Sequence, residues 1–431
     1  MSSNKKFYLA EVQLLILIAL LLVVHSLNAQ ERLNSSLSLN EAIEIGLKNN
    51  PEIKVAQKNI SAAKGRFWSG ISLPQPDFSI RYEWTPKDRN LGSFSERTQE
   101  ISQSFEFPSN YFLRGLKLNK EEEIAFYNLK KTEVEITTRV KKAYYNVLAK
   151  RELLKIAEEN LRIAEDFSHK ADIRYNVGEG TNLERLTAKV QFTEARNNLE
   201  IIKNELKTAF AELNFILGYG KREEEIFILS DSLSYIPFEK YTLDELYRLT
   251  ISANPQIKIS ELNVDISSVN KSLAWSSLLP EFNIAYFRQS RDGSNGFYGA
   301  SFGISVPLWF LFGNRGQIQE ATANASITES EQQLVKNEIY LKLKSAFYDY
   351  ENNLKQVELY MNDILPQAEE VYRSAIKSYD AGEITYLEFL QAKQTLINAR
   401  SNYVSVLLNY SFSIFTLEEI VGKNLKKLNG D

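Results

Sequence analysis

The chain has 431 residues, 44% of them hydrophobic and 25% charged, with a net charge of -4, no cysteine and two histidines. That balance belongs to a folded chain, and the missing cysteine excludes disulfides, thiolate metal sites, a cysteine nucleophile and a cysteine-linked lipid anchor. Two histidines argue against a His-based triad or a multi-histidine zinc site, so no enzyme, cofactor or metal is expected, and the acidic balance offers no footprint for nucleic acid.

Residues 1–29 read as an export signal, with Lys5 and Lys6 before the apolar run Leu14 to Val24 and Leu27-Asn28-Ala29 before the cut. That run has 11 residues, against the roughly 20 that a spanning helix needs. No later segment reads as a membrane helix, so the exported chain either stays soluble or enters a membrane as strands.

The remainder is one unit written twice at an offset of 204. Asn50-Pro51-Glu52-Ile53-Lys54 meets Asn254-Pro255-Gln256-Ile257-Lys258, and Pro76, Phe78, Ile80 and Tyr82 meet Pro280, Phe282, Ile284 and Tyr286. Residues 174–196 match 378–400 at 11 of 23 positions without a gap. A repeat this long is a doubled architecture rather than a stacked array.

Each unit opens with helix: a capping signal at Ser38 or Asn40 precedes residues 40–73, with Pro51 at the first turn of a second helix. The period then changes to two. Phe78, Ile80, Tyr82 and Trp84 alternate with polar residues, as do Ile101, Gln103, Phe105 and Phe107. In the second unit Phe282, Ile284 and Tyr286 form one strand, and Tyr298, Ala300, Phe302, Ile304 and Val306 the next. Lys87 to Arg97 and Ser290 to Gly296 read as polar hairpin loops.

Beyond Pro108 and Pro307 a helical period near 3.5 returns, the mark of a coiled-coil seam. Leu129, Ile136, Val140, Ala143 and Val147 begin it in one unit. Ile339, Leu343, Ala346, Tyr350, Val357 and Ile364 carry it in the other and, after one extra spacing of four, Ala368, Val371 and Ala375 follow. Gly178 and Gly382 fall where a left-handed cap would reverse each long helix into its return partner.

The resulting domains are a signal peptide over 1–29 and a first repeat over 30–218, with strands at about 78–86 and 99–107 and a helical hairpin at about 110–217. A linker over 219–240 leads to a second repeat over 241–422, with strands at about 281–289 and 297–306 and a hairpin at about 311–420, then a tail over 423–431. Four strands with one apolar face cannot close a barrel alone, because the smallest ordinary membrane barrels have about eight, so several copies must pool them. Trp84, Tyr286, Phe297 and Trp309 lie near strand ends, as an aromatic girdle would. The other reading of the same elements is a secreted or surface-attached coiled-coil interaction protein with an ordinary soluble sheet.

At this point the chain resembles the outer-membrane efflux factors of the TolC family over about residues 37–422, most specifically in Tyr175-Asn176-Val177-Gly178 and Tyr379-Asp380-Ala381-Gly382 with the leucines and alanines that follow each. The resemblance implies a mainly α fold with a transmembrane β-barrel, in which three copies pool four strands each into a 12-stranded barrel above a periplasmic helical tunnel. It implies a passive exit duct held in outer-membrane lipid. The duct would dock with a periplasmic adapter and an inner-membrane transporter, for which the RND type is one candidate.

Carried over by motif, Gly178, Glu179, Thr181, Leu183, Gly382, Glu383, Thr385 and Leu387 would meet the adapter, although helix-turn chemistry alone also explains the glycines. Tyr379, Glu388, Gln391 and Glu184 would narrow the pore, and three Glu388 carboxylates near one axis would shift each other's titration. A solvated helix face is the other reading of Glu388. Ile384 stands where some relatives have an arginine beside the position of Glu184, which implies a weaker polar lock.

Overall fold

The computed structural model describes residues 36–83, 94–220, 228–308 and 313–425. The expected signal peptide, most of the tail, Trp84, Trp309 and the charged run Lys221 to Glu225 lie outside the described residues.

The first repeat comprises β1 (Ser36–Leu37), α1 (Leu39–Asn49), α2 (Pro51–Ile71), β2 (Asp77–Glu83), β3 (Glu96–Phe105), α3 (Pro108–Asn176) and α4 (Asn182–Leu217). The second comprises α5 (Leu243–Ala253), α6 (Pro255–Ser276), β5 (Glu281–Arg291), β6 (Ser294–Ser305), α7 (Gly313–Leu359), α8 (Leu365–Asp380) and α9 (Tyr386–Val421), and β4 (Ile228–Leu229) stands between them. Helix α3 has 69 residues, about 100 Å at 1.5 Å per residue.

The same capping chemistry starts both repeats. Ser38, not Asn40, caps α1 and exchanges hydrogen bonds with Glu41; Thr242 and Glu245 repeat this at α5. Asn50 and Asn254 then cap α2 and α6, and each proline occupies the first turn, where a missing N–H costs nothing. The two asparagines also tie each short helix pair to the far end of its hairpin. Asn50 Nδ2 donates to the Ile216 carbonyl at 2.9 Å, and Asn254 Nδ2 to that of Ile420 at 2.7 Å. Gly218 and Gly422 end those hairpins with φ of 84°. A Cβ on Gly218 would lie 2.9 Å from the Asn49 carbonyl oxygen, and one on Gly422 2.8 Å from that of Ala253.

The seam packs as its spacing requires. Leu129, Ile136, Val140, Ala143, Val147, Ile339, Leu343, Ala346, Tyr350, Val357, Ala368 and Ala375 are buried. Val371 is not: it is half exposed, and Tyr372 and Tyr379 pack inward near it instead. Residues Tyr360–Ile364 form a π-helical turn just before Pro366, whose ring nitrogen cannot donate, and the Leu365 N–H reaches back to the Tyr360 carbonyl. The extra residue in that turn is the extra spacing of four in the sequence.

Helix α9 corrects another expectation, since by length and apolar composition it could cross a membrane. It serves as core, however, with 61% of its most apolar window buried, including Tyr410, Ile414, Phe415 and Leu417. The inter-repeat segment also packs inward. β1 pairs parallel with β4, while Ile236 and Phe238 enter the core around Tyr350 and Tyr410. The repeats meet where Tyr145 lies edge-on to Phe415, with centroids 5.0 Å apart. Beside them the buried Lys141 ammonium donates to Glu418 at 2.7 Å and to Asn424 at 2.9 Å. A buried pair is tolerable only when its remaining lone pairs are satisfied, and the Leu425 N–H supplies that to the second Glu418 oxygen.

The four long strands form one antiparallel sheet in the order β2-β3-β5-β6. One face carries the rows Phe78, Ile101, Tyr286, Ala300 and Ile80, Gln99, Arg288, Tyr298; the other carries Ser79, Glu100, Phe287, Gly299 and Arg81, Thr98, Gln289, Phe297. Tyr286 thus lies on the apolar face, but Phe297 falls on the polar one, contrary to its expected place in a girdle. Alternation with its neighbour Tyr298, which pairs with Arg288 on the apolar face, puts it there; the register shifts only beyond it, between Gln289 and Ser290. The second hairpin is also tighter than its polar composition implied. Asp292 and Gly293 take φ of 47° and 78°, a two-residue turn, so the ladder runs on to Arg291 and Ser294.

Gly218→Ala and Gly422→Ala combine a left-handed backbone with a clash and are expected to destabilise the fold by about 1–3 kcal/mol. Gly178→Ala has the same backbone cost but nothing within 4 Å of the added carbon, so its cost is expected to be about 1 kcal/mol. Denaturant melts of the three variants check the order.

Candidate functional site: the turns of the two hairpins

The two reversals are built alike. After α3, Gly178 takes φ of 83°, its N–H donating to the Tyr175 carbonyl and that of Glu179 to the Arg174 carbonyl at 2.8 Å. After the second descent Gly382 takes φ of 72°, with Gly382 N–H to Tyr379 and Glu383 N–H to Ser378 at 2.8 Å. Both are Schellman turns, which satisfy carbonyls at the helix end. Thr181 and Thr385 then cap α4 and α9 through their hydroxyls.

All eight residues expected to meet a partner are at these turns. Gly178, Glu179, Thr181, Gly382, Glu383 and Thr385 are exposed, and Leu183 and Leu387 are 76% and 71% exposed. A leucine at the first turn of both return helices, open to solvent in both copies, does no packing work within this chain.

Glu184 and Glu388 are the same position in the two copies, and they do different things. Glu388 turns back on its own helix, accepting from the Thr385 N–H at 2.7 Å and its hydroxyl at 2.8 Å. Those bonds, the backbone one foremost, hold its carboxyl below the ordinary value. Within the chain the shift is therefore downward, opposite to what crowding by like charges would do. Glu184 instead reaches across to the other hairpin. Its carboxylate lies 3.6 Å from the Arg174 guanidinium and accepts from the Tyr379 hydroxyl at 3.5 Å, while Arg174 donates to that hydroxyl at 3.1 Å. Arg174 thus supplies from the first hairpin the cation that Ile384 does not, and the polar contact expected to be weak is present. Gln391 is exposed on α9, away from this contact.

Behind it lies an aromatic cluster. Phe167 of α3 stacks on Phe389 of α9 with centroids 4.4 Å apart, and Tyr379 and Tyr386 close the sides at 5.8 Å from Phe167. Burial pushes the Tyr386 hydroxyl up to about 12, so it stays neutral. A groove of about 450 Å³ opens beside the cluster, with Arg162, Asp166 and Lys170 on one wall and Tyr372, Ile376 and Asp380 on the other. Higher up, Arg400 of α9 bridges Glu159 of α3 at 3.0 Å and Glu369 of α8 at 3.4 Å. Seven residues below Arg400 on the same face, Lys393 is only 5% exposed, and burial lowers its ammonium to about 8.

Sequence reasoning placed Tyr379 and Glu184 at this site but missed Arg174, Phe167, Tyr386, Phe389 and Lys393. For three of these a signal existed, because the copies differ there: Arg174 against Ser378, Asn182 against Tyr386, Arg185 against Phe389. Lys393 faces Lys189 in the repeat, one buried and one exposed, and gave no such signal.

Comparison with known proteins agrees with this architecture. The family model described as outer membrane efflux protein matches residues 42–219 and 246–423, one match per repeat. The cobalt-zinc-cadmium resistance protein CzcC of Cupriavidus metallidurans is 21% identical over 387 residues, 90% of each chain. The pyoverdine export outer membrane protein OpmQ of Pseudomonas putida is 22% identical, covering 90% of this chain and 86% of its own. The outer membrane protein VceC of Vibrio cholerae superimposes with a TM-score of 0.75 at 16% identity, over 90% of this chain and 97% of that one. Relatives of this kind are channel proteins, not enzymes.

Arg174→Ala with Tyr379→Phe is expected to remove the polar contact but keep the aromatic stack, weakening the tip by about 1 kcal/mol. Hydrogen exchange should then speed up several-fold around residues 174–184 and 379–389 while the core around Tyr145, Tyr410 and Phe415 stays protected. Lys393→Met should slow exchange in the same region, since it removes a buried ammonium with no hydrogen-bond or ion-pair partner among the described residues.

Proposed function

Because the chain belongs to the outer membrane efflux protein family and is an outer-membrane channel of a tripartite efflux system, we propose that three copies form one duct whose turns receive a periplasmic adapter. The adapter would join it to an inner-membrane transporter. The observation that carries the reading is the pair of exposed leucines, Leu183 and Leu387, on two capped turns of the same construction. Exposed apolar side chains at matched positions fit a partner that presents a repeated apolar surface of its own. Gly178, Glu179, Thr181, Gly382, Glu383 and Thr385 would frame them with polar contacts.

In this reading the Arg174, Tyr379 and Glu184 contact holds the second hairpin against the first and keeps the tip narrow. Docking has to break one bond network of modest strength, while the π turn above Pro366 gives the second descending helix a place to bend. Glu388 stays ionised through its cap and would place three negative charges near the axis, favouring cations, with Gln391 one turn above it. The relatives are named for cargoes as unlike as cobalt, zinc and cadmium on one side and pyoverdine on the other. We therefore assign the choice of cargo to the transporter and adapter rather than to the duct.

Replacing both leucines, Leu183→Asp with Leu387→Asp, is expected to leave trimers intact and abolish export in a cell assay; normal export would overturn tip docking. Glu388→Ala channels in planar bilayers are expected to lose part of their cation selectivity. An unchanged reversal potential would remove Glu388 from the pore.

A further inference from the structure

The charges of the four-stranded sheet are sorted by face. Asp77, Glu83, Glu96, Glu100 and Glu281 all lie on the polar face, where Arg81 and Arg291 accompany them. The apolar face has no carboxylate among the described residues, yet it has two arginines, Arg97 and Arg288. Both stand toward the hairpin-turn end of the sheet, beyond the rows of Phe282, Ile284, Phe302, Ile101 and Tyr286 that begin at the helices.

The two are diagonal neighbours: Arg97 pairs with Ser290 and Gln99 with Arg288. Such positions are close enough for both guanidinium groups to reach one ligand. Arg97 lies over the Phe94 ring at 5.6 Å, and Phe94 lies edge-on to Tyr82. Arg288 is exposed beside Tyr298. Neither arginine has an ion-pair partner among the described residues. Both are on the inner strands β3 and β5, so closing the sheet through β2 and β6 leaves them uncovered.

An unpaired arginine pair facing outward from an apolar wall is placed for an anion that sits at the edge of a lipid layer. Guanidinium binds phosphate in a two-pronged geometry, and its aliphatic stem can lie along the apolar surface below. We propose that Arg97 and Arg288 form a binding site for the phosphate-bearing headgroups of the outer-membrane lipid leaflet nearest the hairpin turns. The inference rests on the outer-membrane placement of the barrel but not on the docking assigned to the tip.

The test uses detergent-purified full-length trimers, with native mass spectrometry of added lipid A that carries both phosphates and of lipid A stripped of them. The expected result is that Arg97→Gln with Arg288→Gln weakens binding of the phosphorylated lipid about thirty-fold, as two basic contacts near a charged surface would. Arg97→Lys with Arg288→Lys should retain most of it. Equal binding by the double glutamine variant would overturn the site. So would equal binding of the phosphate-free lipid, or displacement of the lipid by inorganic phosphate at the same concentration. If the double variant does not assemble, the single variants are expected to lose about five-fold each, and no loss in either overturns the site. Trimer formation in neutral phosphatidylcholine nanodiscs reports on the barrel separately, so failure of the lipid site and failure of the barrel are told apart.

Discussion

A backbone N–H or carbonyl left unpaired in hydrocarbon costs several kcal/mol, and this constraint organises the whole chain. The sheet has two free edges, β2 and β6, and nothing else among the described residues pairs with them. One protomer is therefore an incomplete object wherever lipid surrounds the sheet. The same incompleteness recurs below, where α7 and the upper parts of α2 and α3 leave Trp68, Phe112, Leu334 and Leu341 largely exposed. Wall and tunnel alike require neighbouring copies.

Duplication solves the problem of building such a wall cheaply, because one unit with a hairpin of strands and a hairpin of helices can be laid down twice per chain. The cap pairs, the asparagine ties and the left-handed glycines are repeated almost atom for atom between the copies. The copies nonetheless differ at the turns. Glu184 reaches across to Tyr379 and Arg174 while its counterpart Glu388 caps its own helix. Likewise the second descending helix has a π turn at Pro366, where the first runs unbroken past Arg162. The duplicated unit is thus symmetric in its scaffold and asymmetric at its turns.

Much of this is readable in the sequence because it is local or periodic. The offset of 204, the 3.5-residue seam, the period-two strands and the glycines at the turns all follow from spacing alone. The extra spacing of four before Ala368 even marks the π turn. What spacing does not encode is rotation over distance. Whether Arg174 meets Glu184 depends on how two helices tens of residues long are turned about their axes, and Lys393 is buried where Lys189 is exposed, on a helix, α9, that packs on α3 of the first repeat as well as on α7 and α8 of its own. Phe297 was misplaced for a different reason: it is the immediate neighbour of Tyr298 in a regular ladder, so the period of two that puts Tyr298 on the apolar face puts Phe297 on the polar one.

The lack of native cysteine makes the central claim directly measurable. Ser79→Cys on β2 can be combined in turn with Ser301→Cys, Gly303→Cys or Ser305→Cys on β6, and each pair oxidised in intact outer membranes. If β2 of one copy pairs with β6 of the next around a closed ring, at least one pair in register gives a covalent trimer on denaturing gels and no larger ladder. A chain that stays monomeric in every combination, or that crosslinks only within itself, would contradict the pooled barrel and with it the channel.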